Sequence, residues 1–144
     1  MISAQDIINL LSVDFAGGTL SAVEGAGALP AAWDQVRASR TAFVLPPGEV
    51  ADRQDAGTGD LRQRSHVSVQ IIVVFTGIDA TGVDQSGDMD AAREGIKNAL
   101  LGQVVGDLAD PFELSKCGTL DVDLPGASLA YTMEFSSSYY IRRP

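Results

Sequence analysis

Residues 62–75 read RQRSHVSVQIIVVF, and this stretch decides the fold. From Val67 to Phe75 every odd-numbered residue is apolar, whereas the even-numbered residues are polar until Ile72. Such alternation is typical of a β-strand, because successive side chains point to opposite faces of a sheet. The pattern predicts a long strand that begins at a solvent-exposed edge of the sheet and ends beneath a helix.

A helix is predicted on the C-terminal side of this strand, after a polar turn over residues 76–87. Asp88 is a candidate N-cap, and Gly102 is well placed to end the helix. The apolar residues that share one helical face are Met89, Ala92, Ile96, Ala99 and Leu100. The charged residues expected to face solvent are Arg93, Glu94 and Lys97. We therefore expect this helix to cover the apolar face of the long strand.

The N-terminal region predicts three further elements. Ser3 and Asp6 resemble the reciprocally bonded cap of a helix over residues 4–12, with Asp in place of the usual Glu. A short strand is expected within residues 19–23. Another helix is expected over residues 30–36, because its first residue is a proline, which suits the first helical position.

A compact apolar strand is predicted over residues 41–45, and Pro46 and Pro47 end it. Residues 46–61 contain prolines, glycines and mixed charges without a period, so they predict a long polar loop. Loops of this length inside compact domains are uncommon and tend to be functional. We interpret the segment 46–61 as a candidate assembly loop.

The last third of the chain predicts a β-hairpin. Residues 120–124 alternate between apolar and acidic, residues 125–127 form a turn, and residues 129–141 alternate again. The predicted fold class is therefore α+β, in one domain over residues 1–144. It has one antiparallel or mixed sheet of about four to five strands, with two to three helices packed mainly on one face.

Composition excludes several classes of function. The chain has 144 residues, 45% of them apolar, which is enough for a sizeable core. Its 19 acidic and 10 basic residues give a formal charge of −9, which disfavours binding to phosphate backbones and to anionic membranes. The longest apolar run, residues 71–75, is too short to span a bilayer, and the N-terminus does not resemble a signal peptide. Cys117 is the single cysteine and is predicted to be a buried thiol.

Catalytic patterns are not found in the sequence, which has no complete P-loop, dinucleotide-binding or hydrolase motif. Ser65 and His66 are adjacent in a strand, so they point to opposite faces and cannot form a nucleophile–base pair there. The acidic cluster within residues 79–90 departs from a calcium-binding loop and is interpreted as a helix cap with a solvated turn. Asp121 and Asp123 share a strand face, but no second chemical group accompanies them. We predict no enzymatic activity, no cofactor and no metal site.

The order of elements resembles a known family. The segments that carry the resemblance are Ala42-Phe43-Val44-Leu45-Pro46, Arg62-Gln63-Arg64, Ala91-Ala92-Arg93, Ile96-Lys97, Ala99-Leu100-Leu101-Gly102, Leu129, Tyr131, Glu134-Phe135, Tyr139 and Arg142. In this order they resemble the tail terminator proteins of bacteriophages and prophages with long tails, over about residues 40–144 and more loosely in the first helix. Gln103 stands where the family often has a tryptophan.

The resemblance implies a structural function. It implies a ring, typically of six subunits, that caps the growing tail tube, stops its polymerisation and offers the surface that joins the head. The implied partners are further copies of this chain, the tail tube protein and the head–tail connector. DNA would pass through the lumen without specific binding, and no membrane is implied. The implied location is the virion tail, assembled in the cytoplasm of the host bacterium.

The candidate assembly residues come from the polar loop, the polar start of the long strand and the C-terminal strand. They are Glu49, Asp52, Arg53, Asp55, Arg62, Arg64, Tyr140 and Arg142. The basic residues are interpreted as short scattered pairs that do not form a nucleic-acid groove. Aromatic residues that leave the core, such as Tyr140, are good interface anchors.

Three other functions remain open at the level of sequence. A neck or tail-completion protein of the same particle would have much the same composition. A small ligand-binding or regulatory α+β domain would be a monomer with a deep apolar pocket. A hydrolase would have to use His66, Asp121 and Asp123, and we expect no such activity.

Overall fold

A computed structural model of the protein describes residues 2–15, 22–27, 40–51, 61–76, 83–104, 110–119 and 128–143. Within these ranges there are two helices, α1 (Ala4–Phe15) and α2 (Val83–Leu100). The strands are β1 (Ala22–Gly25), β2 (Arg40–Val44), β3 (Gly48–Ala51), β4 (Leu61–Thr76), β5 (Glu113–Thr119) and β6 (Ser128–Arg143). The predicted helix over residues 30–36 lies outside the described residues.

The six strands form one mixed sheet. Its main path has the order β1, β2, β4, β6, β5, and β3 also pairs with β4. The β1–β2 pair is parallel, and the other pairs are antiparallel. The predicted mixture of helices with one sheet is confirmed, but the predicted strand count was too low. The difference arises from β3, which lies inside the predicted loop, and from β5, which the sequence reading left unassigned.

The centre of the sheet is a long antiparallel pair. β4 and β6 each have 16 residues and pair along their whole length, from Leu61 opposite Arg143 to Thr76 opposite Ser128. The strands on either side are shorter, since the pairing of β3 ends at Ser65 and that of β5 ends at Ser136. The pair formed by residues 61–64 and 140–143 therefore continues past its described neighbours, and we call it the ribbon end.

β2 and β3 follow one another along the same edge of β4. Val44 pairs with Ile71 and Gly48 pairs with Ser68, so three residues on one side face two on the other. Pro46 and Pro47 lie in this irregularity, because a proline has no N–H to donate to the ladder. Residues 48–51 of the predicted loop 46–61 are thus a strand, and residues 52–60 lie outside the described part of the chain.

The main core lies between the two helices and one face of the sheet. Val69, Ile71 and Val73 of β4 are fully buried there, as the alternation predicts. They share this core with Ala92 and Ile96 of α2. The other buried apolar members are Ile2, Ile7, Leu11, Ala42, Val44, Val67, Phe75, Ala99, Leu100, Phe112, Met133 and Phe135. The face of the sheet that packs against the two helices is called the helix face below.

A smaller apolar cluster lies on the opposite face of the sheet. It consists of Phe43, Ile72, Val74 and Ala130 with Ala26, and all five are buried. These residues occupy the part of β4 where the even-numbered positions turn from polar to apolar. The alternation therefore divides this second face into an apolar half and a polar half.

The helix ends agree with the sequence at two points and differ at two, and the first difference is that α1 extends to Phe15 rather than to residue 12. Ser3 accepts a hydrogen bond from the Asp6 amide at 3.3 Å, and Asp6 accepts one from the Ser3 amide at 2.9 Å, as the cap predicts. Gly102 follows α2 with a φ of 79°, a left-handed conformation that favours glycine at a helix end. Asp88 is not the N-cap of α2, because the helix already begins at Val83.

Candidate assembly surface

The polar half of the second sheet face presents side chains from the two central strands. They are Arg64, His66, Ser68 and Gln70 of β4, with Thr132, Glu134, Ser136 and Ser138 of β6. Gln70 donates a hydrogen bond from Nε2 to Thr132 Oγ1 at 3.1 Å. This surface, called the polar face below, holds two clefts of about 350 and 290 Å³. It follows from the Ser-His-Val-Ser-Val-Gln alternation, which leaves polar side chains on the face opposite the helices.

Hydrogen bonds of Asp110 hold the segment before β5 against the edge of β6. Its Oδ2 accepts a hydrogen bond from Arg64 Nη2 at 2.9 Å and another from the Ser138 hydroxyl. Its amide donates to the Ser138 carbonyl at 3.3 Å, and its carbonyl accepts from the Ser137 hydroxyl. Arg64 Nε also donates to Ser138 Oγ at 3.2 Å. Asp110 therefore closes the edge of β6 just beyond the end of β5, and Arg64 is held in place by the same contacts.

The contacts of Asp110 favour its ionised form. The hydrogen bond from Ser138 is the largest cause that lowers the pKa of Asp110 from its ordinary value of 3.8. The hydrogen bond and the positive charge of Arg64 lower the pKa further, and partial desolvation opposes them. Because the folded pKa lies below the unfolded one, the stabilisation is present above about pH 3.8 and is lost as the pH falls through the folded pKa.

We expect Arg64→Gln to raise the pKa of Asp110 towards 3.8, because it removes a charge and a hydrogen bond from the carboxylate. Titration of the Asp110 carboxyl carbon by NMR measures this shift. Arg93→Gln is the matched control, since Arg93 pairs with Asp90 on α2 and should leave Asp110 unchanged. An Asp110 pKa that is the same in the wild type and in Arg64→Gln would contradict the arrangement.

Side-chain hydrogen bonds of Glu49 connect β3 to the central strands on the helix face. The Tyr139 hydroxyl lies 3.0 Å from both carboxylate oxygens of Glu49 and donates its hydrogen to them. The Ser65 hydroxyl donates to Glu49 Oε2 at 3.5 Å. These contacts link the outer strand β3 to β6 across β4, so Glu49 has a structural partner as well as an exposed position. Val50 is 72% exposed at the same edge.

The structure brings together four of the eight predicted assembly residues. Arg62 pairs with Arg142 and Arg64 pairs with Tyr140, all in the ribbon end. Glu49 lies in β3, away from this group. The predicted residues Asp52, Arg53 and Asp55 lie outside the described residues.

The arginine pairs that were expected to be scattered lie together in the β4–β6 ladder. Arg62 and Arg142 are far apart in sequence but directly opposite in the β4–β6 ladder, and Arg143 occupies the next register position, opposite Leu61. Sequence reasoning missed this grouping because it did not pair the two longest strands. Their equal length and matching alternation were the signal that could have revealed the register.

The predicted catalytic candidates do not form a catalytic group in the described part of the chain. His66 is exposed on the polar face and Ser65 is buried on the helix face, in agreement with their alternation. Ser138 lies opposite His66 but donates its hydroxyl hydrogen to Asp110. Asp121 and Asp123 lie outside the described residues. Among the residues that the structure describes, no group of three or more His, Cys, Asp or Glu could hold a metal ion.

Cys117 and Arg93 differ from their predicted positions. Cys117 is exposed rather than buried, because it lies on the edge strand β5. Arg93 does not simply face solvent, since its guanidinium lies 3.8 Å from the centre of the Tyr131 ring. A hydrogen bond with Cys117 and desolvation raise the pKa of Tyr131, and Arg93 opposes the rise.

The described geometry is that of a structural or binding domain: a mixed α/β fold with one open sheet, a polar face and two unlike edges. The chain belongs to the phage tail terminator protein family, because the model of that family matches residues 1–144, the whole chain. A comparison with curated proteins gave no match. The resemblance read from the sequence is thereby confirmed.

Family membership gives the coarse function. The family consists of structural phage tail proteins and is not an enzyme family, so the chain has a structural role in a phage tail and is a component of the virion tail. In the part of the chain that the structure describes, no helix has the length and apolar character needed to cross a membrane.

Proposed function

We propose that the protein forms a ring, with six copies, that caps the tail tube, stops its polymerisation and provides the surface to which the head joins. The observation that carries this proposal is the match of the terminator family to the whole chain. The partners in this proposal are further copies of the chain, the tail tube protein and the head–tail connector.

The two edges of the sheet support a ring. A head-to-tail contact that closes needs two different patches on each subunit. The described sheet ends in β1 on one side and in β5 on the other, and β3 adds a short strand whose residues are all exposed. β5 carries a register shift between Leu114 and Lys116, a feature that limits uncontrolled pairing of an edge strand. Unlike edges of this kind suit a specific neighbour better than open-ended aggregation.

The charge of the chain supports a passage for DNA. A ring made of chains with a formal charge of −9 would repel phosphates, so DNA could move through its lumen without being retained. Arg64 is bonded to Asp110 and Ser138 within the subunit, so these contacts compete with binding of its guanidinium to a DNA phosphate. DNA is therefore proposed to pass the ring without specific binding.

The test is a tail tube assembly assay with the purified full-length chain. We expect light scattering after size exclusion to find an oligomer well above the monomer mass as concentration rises. Added to polymerising tail tube protein, the chain should stop elongation, and electron microscopy should find a ring at one tube end. A chain that stays monomeric and leaves tube length unchanged would contradict the proposal. Binding to the head connector without any effect on the tube would instead favour a neck or tail-completion protein.

A further inference from the structure

The ribbon end concentrates positive charge in an acidic protein. Four of the chain's 10 basic residues lie in its eight positions: Arg62, Arg64, Arg142 and Arg143. Arg64 is engaged by Asp110 and Ser138. With the other three set aside, the remaining seven basic residues stand against 19 acidic ones, a formal balance of −12. These three arginines are thus opposite in charge to the remaining chain, Arg64 included.

The register sets two of these arginines at opposed positions of the ladder. Arg62 and Arg142 are directly opposite in the antiparallel ladder, and like charges at opposed positions destabilise a sheet. Among the described residues, no further strand pairs with either outer edge of the ribbon end. An anionic surface placed against the ribbon end would offset the repulsion.

We propose that the ribbon end docks on the acidic surface of a second copy of the chain, which deepens and rests on the proposed ring. The charge complementarity is built into one sequence, since every copy carries both a basic ribbon end and an acidic remainder. The contact is heterologous, because the two patches differ, and a heterologous contact generates a ring when its rotation closes. Tyr140, 38% exposed and opposite Arg64, adds an aromatic side chain at the border of this surface.

DNA is the other anionic occupant to consider, and it is less favoured. Three arginines neutralise few phosphates, whereas the −12 balance of the remaining chain repels the duplex over a distance of a Debye length. The arginines of a second copy, in contrast, are attracted by that same negative charge. The observations therefore favour contact between copies.

The experiment compares self-association of the full-length chain with that of Arg62→Gln/Arg142→Gln by sedimentation velocity, at low salt and at about 1 M salt, where the Debye length is about 3 Å. We expect the dissociation constant of self-association to be roughly tenfold or more higher for the double variant than for the wild type. We also expect self-association of the wild type to weaken as the salt concentration rises. Arg93→Gln/Lys97→Gln is the matched control. It removes two positive charges from α2 and should change the constant by no more than about twofold.

Thermal unfolding separates this role from a purely structural one. Removal of the opposed charges should leave the Tm of the double variant unchanged or raise it, while association weakens. A double variant that associates as tightly as the wild type would overturn the docking proposal and leave the ring function standing. A wild type that stays monomeric under all conditions would overturn both. Binding of a short DNA duplex that depends on Arg62 and Arg142, with self-association unaffected, would assign the ribbon end to DNA instead.

Discussion

Val73→Asp is expected to lower the free energy of unfolding by about 3–5 kcal/mol. Val73 is fully buried in β4, with Ala42 of β2 and Tyr131 of β6 beside it in the ladder. An aspartate at this position would place an ionisable group in the buried core between the sheet and the helices. Chemical denaturation followed by circular dichroism measures the loss.

Val50→Asp is the matched control for this prediction. It makes the same substitution in another strand of the same sheet, but Val50 is 72% exposed. We expect its stability to stay within about 0.5 kcal/mol of the wild type, as for most surface changes. A Val73→Asp protein that unfolds cooperatively at the wild-type midpoint would refute the placement of β4 beneath the helices.

Two acidic residues, Asp110 and Glu49, hold outer segments of the sheet in place by hydrogen bonds. Asp110 holds the segment before β5 against β6, and Glu49 holds β3 against the central strands through Tyr139. A protein that works by contact needs edges of fixed shape, because ordering a loose segment on assembly costs conformational entropy. We infer that these contacts prepare the sheet edges for neighbouring subunits.

Sequence reasoning was most successful where one local signal was strong. The alternation in β4 predicted both the strand and the face that is buried, because burial on one side of a sheet imposes a period of two. The cap formed by Ser3 and Asp6 predicted the start of α1, since both partners lie within one helical turn. Gly102 predicted the end of α2 for a similarly local reason.

Elements that depend on tertiary pairing were missed. β3 has four residues without a clear alternation, and it is a strand because β4 offers an edge for it. β5, with the sequence Glu-Leu-Ser-Lys-Cys-Gly-Thr, has few apolar residues and pairs along β6 with a register shift. The antiparallel partner of β6 in the last third is Glu113–Thr119, and the predicted turn over residues 125–127 lies outside the described residues. The predicted strand over 120–124 lies outside the described residues.

Phe112 is the second position at which a large effect is expected, and the sequence alone gave it no distinctive signal. Its side chain is 1% exposed within the main core. Its carbonyl accepts a hydrogen bond from the Gly102 amide at 3.2 Å, and its own amide donates to the Gln103 carbonyl at 3.0 Å. Phe112 thus joins the end of α2 to the start of β5, and its position is fixed from both the backbone and the core.

We expect Phe112→Ala to lower the free energy of unfolding by about 3–5 kcal/mol, because it removes a buried aromatic ring and leaves a cavity beneath α2. Val104→Ala is the control from the same connection, and since Val104 is 55% exposed its effect should stay within about 0.5 kcal/mol. Hydrogen exchange gives a second readout, since the amides of Gly102 and Phe112 should lose protection in Phe112→Ala while the centre of β4 keeps more of its own. A loss of less than about 1 kcal/mol, with both amides still protected, would mean that the ring of Phe112 does not hold this junction.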